Sequence, residues 1–247
     1  MGKIIAVASG KGGTGKTTTV AAVSSCISAL GYKTLCIDFD SGLKNLDLAL
    51  CMADYTVADY SDVLCDKLAL MEACHEHPRL PNLFFLAAPT VYEPEETSPE
   101  VVNAMFQKIR EEFDYCLVDS PSGIREGFVF AHAYADMSLI VTIGELPAIR
   151  DAQQAAGAAR EMGVEELRLL VNRVVPDNYK RLKTTVDYVI DSVGAQLVGV
   201  VREDIYIPQS LSENIPLVLY PKRRAAYDFL DAARRLCGED IPLRRIR

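Results

Sequence analysis

Residues 3–18 read KIIAVASGKGGTGKTT. The apolar, β-branched run predicts a buried strand through Ser9, and the segment from Thr17 to Leu30 predicts a helix stopped by Gly31. Between them, Gly10 to Thr17 satisfies G-x-x-x-x-G-K-[ST], the pattern of a loop that cradles phosphate. Glycines let successive backbone N–H groups turn toward one anion, and the helix N-terminus adds partial positive charge at the same spot. Gly10, Gly12, Gly13, Thr14, Gly15, Lys16, Thr17 and Thr18 are therefore assigned to the phosphates of ATP. Lys16 reaches the β- and γ-phosphates, and the Thr17 hydroxyl ligates Mg2+. A second lysine, Lys11, is not required by this logic.

Further short apolar runs alternate with longer amphipathic segments. Strands are expected in KTLCIDF, NLFFLAA, YCLVDS, MSLIVTI, LRLLVNRV, QLVGVV and IPLVLY. Helices are expected over Pro99 to Phe113 with Ser98 as N-cap, Ile149 to Met162, Leu182 to Val193 and Ala225 to Cys237. Continuously apolar strands separated by helices predict an α/β fold with a doubly wound, mostly parallel sheet flanked by helices. Without repeats or linker-like tracts, residues 1–240 read as one domain, followed by a short basic tail over 241–247. The EPEETSPE stretch reads as a solvated acidic loop.

The 247-residue chain is 49% hydrophobic and carries a net charge of −8, which argues against a general basic coat for nucleic acid. The charge is uneven. From Lys222 onward eight Lys/Arg face four Asp/Glu, leaving −12 on the rest: a basic end on an acidic body. Seven cysteines, none in Cys-x-x-Cys spacing, read as buried thiols and argue against a metal-cluster or disulfide framework. His75 and His77 form a His-x-His that reads as a polar helix end, with metal ligation the other reading. No leader-like opening and no long apolar run occurs, so a cytoplasmic setting is expected.

A nucleotide loop needs a metal carboxylate after a later strand. YCLVDSPSG supplies Asp119, placed where carboxyl ends of strands meet ligands; helix capping is the other reading. A second acidic group, Asp38, Asp40 and Asp47, lies in CIDFDSGLKNLDLAL, where a turn explains only one or two acids.

The loop K-G-G-x-G-K-T-T, together with I-D-F-D-x-G-L-x-N-L-D and DSPSG, resembles the MinD/ParA group of P-loop ATPases, which carry a deviant Walker A motif. The likeness runs from Gly2 to about residue 240. Its details are more similar to the division-site members, which act at the septum site, than to plasmid partition members. The resemblance implies an ATP hydrolase that dimerises with ATP as a spatial switch. It implies that Lys11 crosses to the partner's nucleotide, that Asp40 positions the attacking water, and that Asp38 supports the Mg2+ shell. Asn45 then lies near the interface, the Gly123 backbone senses the γ-phosphate, and Asn172 reads the adenine edge. Lys11, Lys16 and Asp40 are thus the implied catalytic residues. Glu203, Asp204 and Pro208 fall in the segment that closes over the base. Arg150 and Asp151 are either partner-binding or plain first-turn charges.

TIGELPAIRD departs from the group's usual loop, so the resemblance implies an activator protein without identifying it. The closing IPLRRIR is shorter than the amphipathic helix by which division-site members reach the membrane. It is a frayed end, or the remnant of a lost or truncated anchor, or an anchor that works only through avidity in a dimer; peripheral attachment to the inner face of the cell membrane rests on it. The alternative is a partition-type ATPase whose basic end lies on DNA phosphates.

Overall fold

A computed structural model describes residues 1–40, 45–55, 58–89, 98–124, 126–177, 184–221 and 224–244. Parts of the anticipated switch (41–44), the acidic loop (93–97), the helix start at 182–183, Lys222 and Arg223, and 245–247 lie outside them. In chain order the elements are β1 (Lys3–Ala8), α1 (Lys16–Ala29), β2 (Thr34–Asp38), α2 (Leu46–Ala49), α3 (Tyr60–Leu64) and α4 (Leu70–Ala73). There follow β3 (His75–Glu76), β4 (Leu83–Leu86), α5 (Pro99–Glu112), β5 (Tyr115–Asp119), α6 (Glu126–His132), β6 (Met137–Thr142) and α7 (Leu146–Glu161). The last are β7 (Glu166–Val174), α8 (Val186–Val193), β8 (Gln196–Arg202), α9 (Tyr206–Ser212), a 3₁₀ turn (Leu217–Leu219) and α10 (Arg224–Leu236).

The strands form one sheet in the order β3-β4-β2-β5-β1-β6-β7-β8, parallel throughout except for the antiparallel edge pair β3–β4. Each strand of the parallel body is covered on both faces, which is why its sequence is apolar without alternation. Ile5 and Val7 join a cluster under α1 and α10. Their neighbours Ile4 and Ala8 point the other way, to clusters built with α5 and with α7 and α8. Helix α1 is buried along most of its length. Its serines tolerate this because Ser24 and Ser25 donate back to Val20 and Ala21 carbonyls, both at 2.6 Å. After β1 the chain builds toward β4, returns as β5, and then continues from β6 on the other side of β1. The C-terminal ends of β1 and β5 therefore border the crevice where such sheets bind ligands.

Seven of the eight anticipated strands are present. IPLVLY is not one of them: Leu217–Leu219 form a 3₁₀ turn with Leu217 buried. Pro216 within the run and Pro221 after it remove ladder donors, so Leu217 and Tyr220 fill the core without joining the sheet, while Leu219 is exposed. The helix expected from Ile149 begins earlier, at Leu146, with Pro147 in its first turn. Ser98 occupies the N-cap of α5 without a side-chain capping bond. Cys65 is exposed, against the expectation of buried thiols.

The described part of the tail is not frayed. The Arg235 guanidinium donates to the carbonyls of Val198 at 2.7 Å, Ile241 at 3.1 Å and Pro242 at 2.6 Å. Arg244 Nε meets Asp231 at 2.9 Å. Among the described residues, no helix is long and apolar enough to cross a membrane.

His132, at the end of α6, shows how burial fixes a protonation state. Its ring stacks on Phe128; Nδ1–H donates to the Phe128 carbonyl at 2.8 Å, and Nε2 accepts from the Ser138 hydroxyl at 2.9 Å. Burial pushes its pKa down from 6.5 to about 4. The unfolded chain therefore binds a proton that the folded chain refuses, and stability is lost as pH falls from 6.5 toward 4. Denaturant titrations should show the stability gap between wild type and His132→Gln narrowing by about 2 kcal/mol from pH 7.5 to pH 5. A gap independent of pH contradicts the assignment.

Candidate active site

The loop between β1 and α1 wraps a cavity of about 220 Å³ lined by Ser9, Gly12 to Thr18, Asp40, Asn45, Asp119 and Ser122. Gly15, at the N-cap of α1, has φ +88°, and a Cβ there would also lie 2.3 Å from Asn172 Nδ2. Gly10 is required for a different reason: its Cβ would lie 2.2 Å from the Asp151 carbonyl oxygen, where α7 presses on the loop. No side chain caps α1, so its N-terminal dipole faces the cavity.

Three buried charges meet below the loop. Lys16 Nζ pairs with Asp119 Oδ1, both side chains almost fully buried. The Thr17 hydroxyl lies close enough to Asp119 to favour its charged form. Asp38 is the register neighbour of Asp119 across β2 and β5. Its carboxylate accepts the Asp40 N–H at 2.8 Å and the Leu46 N–H at 3.3 Å, which anchors both ends of the anticipated switch. Burial, then the charge of Asp119, push the Asp38 pKa up to about 7. Burial raises Asp119 as well, against the Lys16 ammonium and the Thr17 hydroxyl, which hold it down.

Most of the anticipated residues converge. Gly12, Gly13, Thr14, Gly15, Lys16, Thr17, Thr18, Asp40, Asn45 and Asp119 line the cavity. Lys11 is exposed and outside that lining, free to point away from its own site. The Gly123 N–H donates to the Ser9 carbonyl at 3.1 Å, which ties this switch to the loop. Asn172 is buried and its Nδ2 donates to the Thr14 carbonyl at 2.9 Å.

Other candidates have different work. Asp204 accepts the Tyr206 and Ala225 N–H groups, both at 3.0 Å, so it fixes the starts of α9 and α10. Glu203 pairs with Arg173. His75 Nε2 accepts the Ala58 N–H at 3.3 Å, and His77 bonds the Leu50 carbonyl at 2.9 Å, so each ring anchors backbone. Arg150 is exposed on α7. Ser122 lines the cavity without having been anticipated, although DSPSG places it three residues past Asp119.

The residues fit a magnesium nucleotide. Thr14 Oγ1 and Asn172 Oδ1 are buried with no partner among the described residues. Thr14 lines the cavity, where an orphaned hydroxyl marks a place for a ligand to complete the bonding; Asn172 lies outside that lining, against the loop. With Nδ2 donating to Thr14, the free Asn172 oxygen suits an amino donor such as that of adenine. The Lys16 ammonium, the Thr17 hydroxyl and two carboxyl groups form an oxygen-rich set with one cation for phosphate and oxygen donors for Mg2+.

Fold and site together define a nucleotide-binding protein of the phosphate-loop class. The model of the CobQ/CobB/MinD/ParA nucleotide-binding domain matches residues 5–217, and the chain belongs to that family. It is 33% identical to the septum site-determining protein MinD of Bacillus subtilis, over 98% of this chain and 92% of that protein. The Synechocystis MinD is 36% identical over 98% of this chain and 92% of its own length. Among solved structures, the MinC:MinD cell division complex of Aquifex aeolicus superposes with a TM-score of 0.90 at 35% identity, covering 98% of both chains. MinD from Pyrococcus horikoshii, complexed with Mg-ADP, superposes at 0.83 with 26% identity, covering 96% of this chain and 97% of that one.

Asp38 gives the site a measurable cost. Its folded pKa lies above the ordinary 3.8, so the stability its protonated form contributes is lost as pH rises through about 7. Replacing it with a neutral amide should remove that dependence. The stability advantage of Asp38→Asn over wild type, measured without nucleotide, should grow by about 2 kcal/mol between pH 5 and pH 8. Parallel pH profiles for the two proteins would show that Asp38 is not a buried, strained acid.

Proposed function

We propose that this chain is a MinD-like ATPase, hydrolysing ATP to ADP and phosphate, that serves division-site placement through a nucleotide-gated homodimer. The observation that carries the reading is the buried Lys16–Asp119 pair at the carboxyl ends of β1 and β5, beneath an uncapped helix N-terminus and beside Thr17. Relatives aligned over nearly the whole chain favour this role over plasmid partition.

In this reading residues 1–240 are one ATPase domain. The loop N–H groups and Lys16 bind the β- and γ-phosphates, and binding transfers Lys16 from Asp119 to the nucleotide. Thr17 and Asp119, with Asp38 in support, are the residues to hold Mg2+, which neutralises charge on the phosphate oxygens. Asp40 orients a water on the γ-phosphorus; the bond to the β-phosphate oxygen breaks as the new P–O bond forms, releasing ADP and phosphate. Phosphoryl transfer needs positioning and charge more than a strong base, which suits a cavity-lining carboxylate at this place. Gly123 leaves the Ser9 carbonyl to meet the γ-phosphate, so the switch after β5 differs between ATP and ADP states. Lys11 reaches the partner subunit's nucleotide, and an activator binds the assembled dimer.

The partition reading needs its basic end available for DNA phosphates. Arg234 pairs with Glu239 at 2.6 Å, Arg235 is bound to three carbonyls, and Arg244 is bound to Asp231. These three arginines are engaged within the chain, which lowers the positive surface that DNA would require.

The test is light scattering coupled to size exclusion with ADP and with ATP. Wild type should be monomeric with ADP and dimeric with ATP. Lys11→Ala should keep its nucleotide yet remain monomeric. Lys16→Ala should lose ATP affinity by about a hundredfold or more, because the phosphates lose their charge partner. Asp40→Ala should accumulate as an ATP-bound dimer with hydrolysis abolished. A Lys11→Ala protein that dimerises normally removes Lys11 from the interface, and a wild type that stays monomeric with ATP removes the dimer.

A further inference from the structure

Arg173 is a non-glycine residue with φ +54°, a left-handed conformation that costs energy for an arginine. It sits in a β-bulge: Val171 pairs with Val200 and Val174 with Arg202, so β7 holds one residue more than β8 across this interval. Asn172 and Arg173, which an unbroken strand would send to opposite faces, both turn to the phosphate loop. Asn172 Nδ2 donates to the Thr14 carbonyl at 2.9 Å, and Arg173 Nη1 donates to the Gly13 carbonyl at 3.2 Å. The guanidinium is itself held. Its Nε and Nη2 donate to the two oxygens of Glu203 at 2.9 and 3.2 Å, a bidentate pair. Glu203 in turn is fixed by its N–H, which donates to the Val174 carbonyl at 3.1 Å.

We infer that Arg173, locked by Glu203, is a positioning residue that presets the phosphate loop for its anion. The inference rests on the nucleotide reading of the site and adds a function for a bulge that the reading leaves unexplained. A peptide group is planar and trans, so its C=O and N–H point in opposite directions. Drawing the Gly13 and Thr14 carbonyls toward the β7 bulge turns the Thr14 and Gly15 N–H groups of the same two planes into the cavity. Two consecutive donors are thereby aimed before phosphate arrives, and the ordering cost of binding falls. The bidentate pair matters because it fixes the guanidinium plane and leaves Nη1 directed at Gly13. Lysine, with one rotatable ammonium, cannot hold Glu203 in two places and Gly13 in a third.

The experiment compares Mg-ADP affinity by calorimetry in wild type, Arg173→Met, Arg173→Lys, Glu203→Gln and the Arg173→Met/Glu203→Gln double variant. Amide spectra of the nucleotide-free proteins follow Thr14 and Gly15. Arg173 is half exposed, so its variants should unfold at the wild-type temperature without nucleotide. Arg173→Met should bind ADP about tenfold more weakly and shift the Thr14 and Gly15 amides. Arg173→Lys should recover only part of the affinity, and the double variant should be no worse than Arg173→Met alone. ADP affinity in Arg173→Met within about twofold of wild type overturns the inference. So does weaker binding with unmoved Thr14 and Gly15 amides, or full additivity with Glu203→Gln. A wild type that binds no ADP would instead overturn the nucleotide reading, and the amide shifts would still report on the loop.

Discussion

The ion pair between Lys16 and Asp119 is the contact on which the site depends. It joins the first residue of α1 to the last residue of β5, and both side chains are almost fully out of water. Such a pair contributes little net stability, since desolvation offsets attraction, yet either charge left alone there costs several kcal/mol. The two residues are therefore committed to each other until a ligand offers something better. A triphosphate offers more charge to Lys16, and a divalent cation offers more to Asp119. The site is arranged so that both exchanges happen together.

The same logic explains the second carboxylate. Asp38 lies beside Asp119 without a cation of its own, and burial beside a like charge drives its pKa up to about 7. It nevertheless accepts the N–H groups of Asp40 and Leu46, so the switch segment hangs from this one strained acid. On the other side, Gly123 is held to Ser9 through its N–H, which couples the segment after β5 to the phosphate loop itself. Charge placed in the cavity consequently reaches both flanking segments through one or two bonds. Coupling that short needs no long pathway through the core.

Much of this was readable in the sequence because it is local. An apolar run ending in an acid gives a strand with a carboxylate at its tip, as Asp38 and Asp119 show. A glycine loop followed by Lys-Thr gives both the turn and the charge. What escaped was set by contacts between distant residues. Arg173 meets Gly13 across 160 positions, and nothing in LRLLVNRV announces a bulge or a left-handed arginine. Asp204 fell in the segment that closes over the base, and its service to two helix starts, one of them 21 residues away, did not show. IPLVLY had the composition of a strand, yet Pro216 within it and Pro221 after it leave Leu217–Leu219 as a 3₁₀ turn. A frayed end was one of the readings of the tail, because the Arg235 and Arg244 contacts that hold its described part, 241–244, come from tertiary structure.

The central claim is that Lys16 is held by Asp119 until nucleotide takes it, and the most direct measurement is ADP affinity of Asp119→Asn with Mg2+ removed by chelation. Without the metal, Asp119 only competes with phosphate for Lys16. The account predicts that Asp119→Asn then binds ADP about tenfold more tightly than wild type, and that adding Mg2+ erases or reverses the advantage. Equal or weaker Mg-free binding in Asp119→Asn would contradict it, showing that the buried pair does not restrain the lysine.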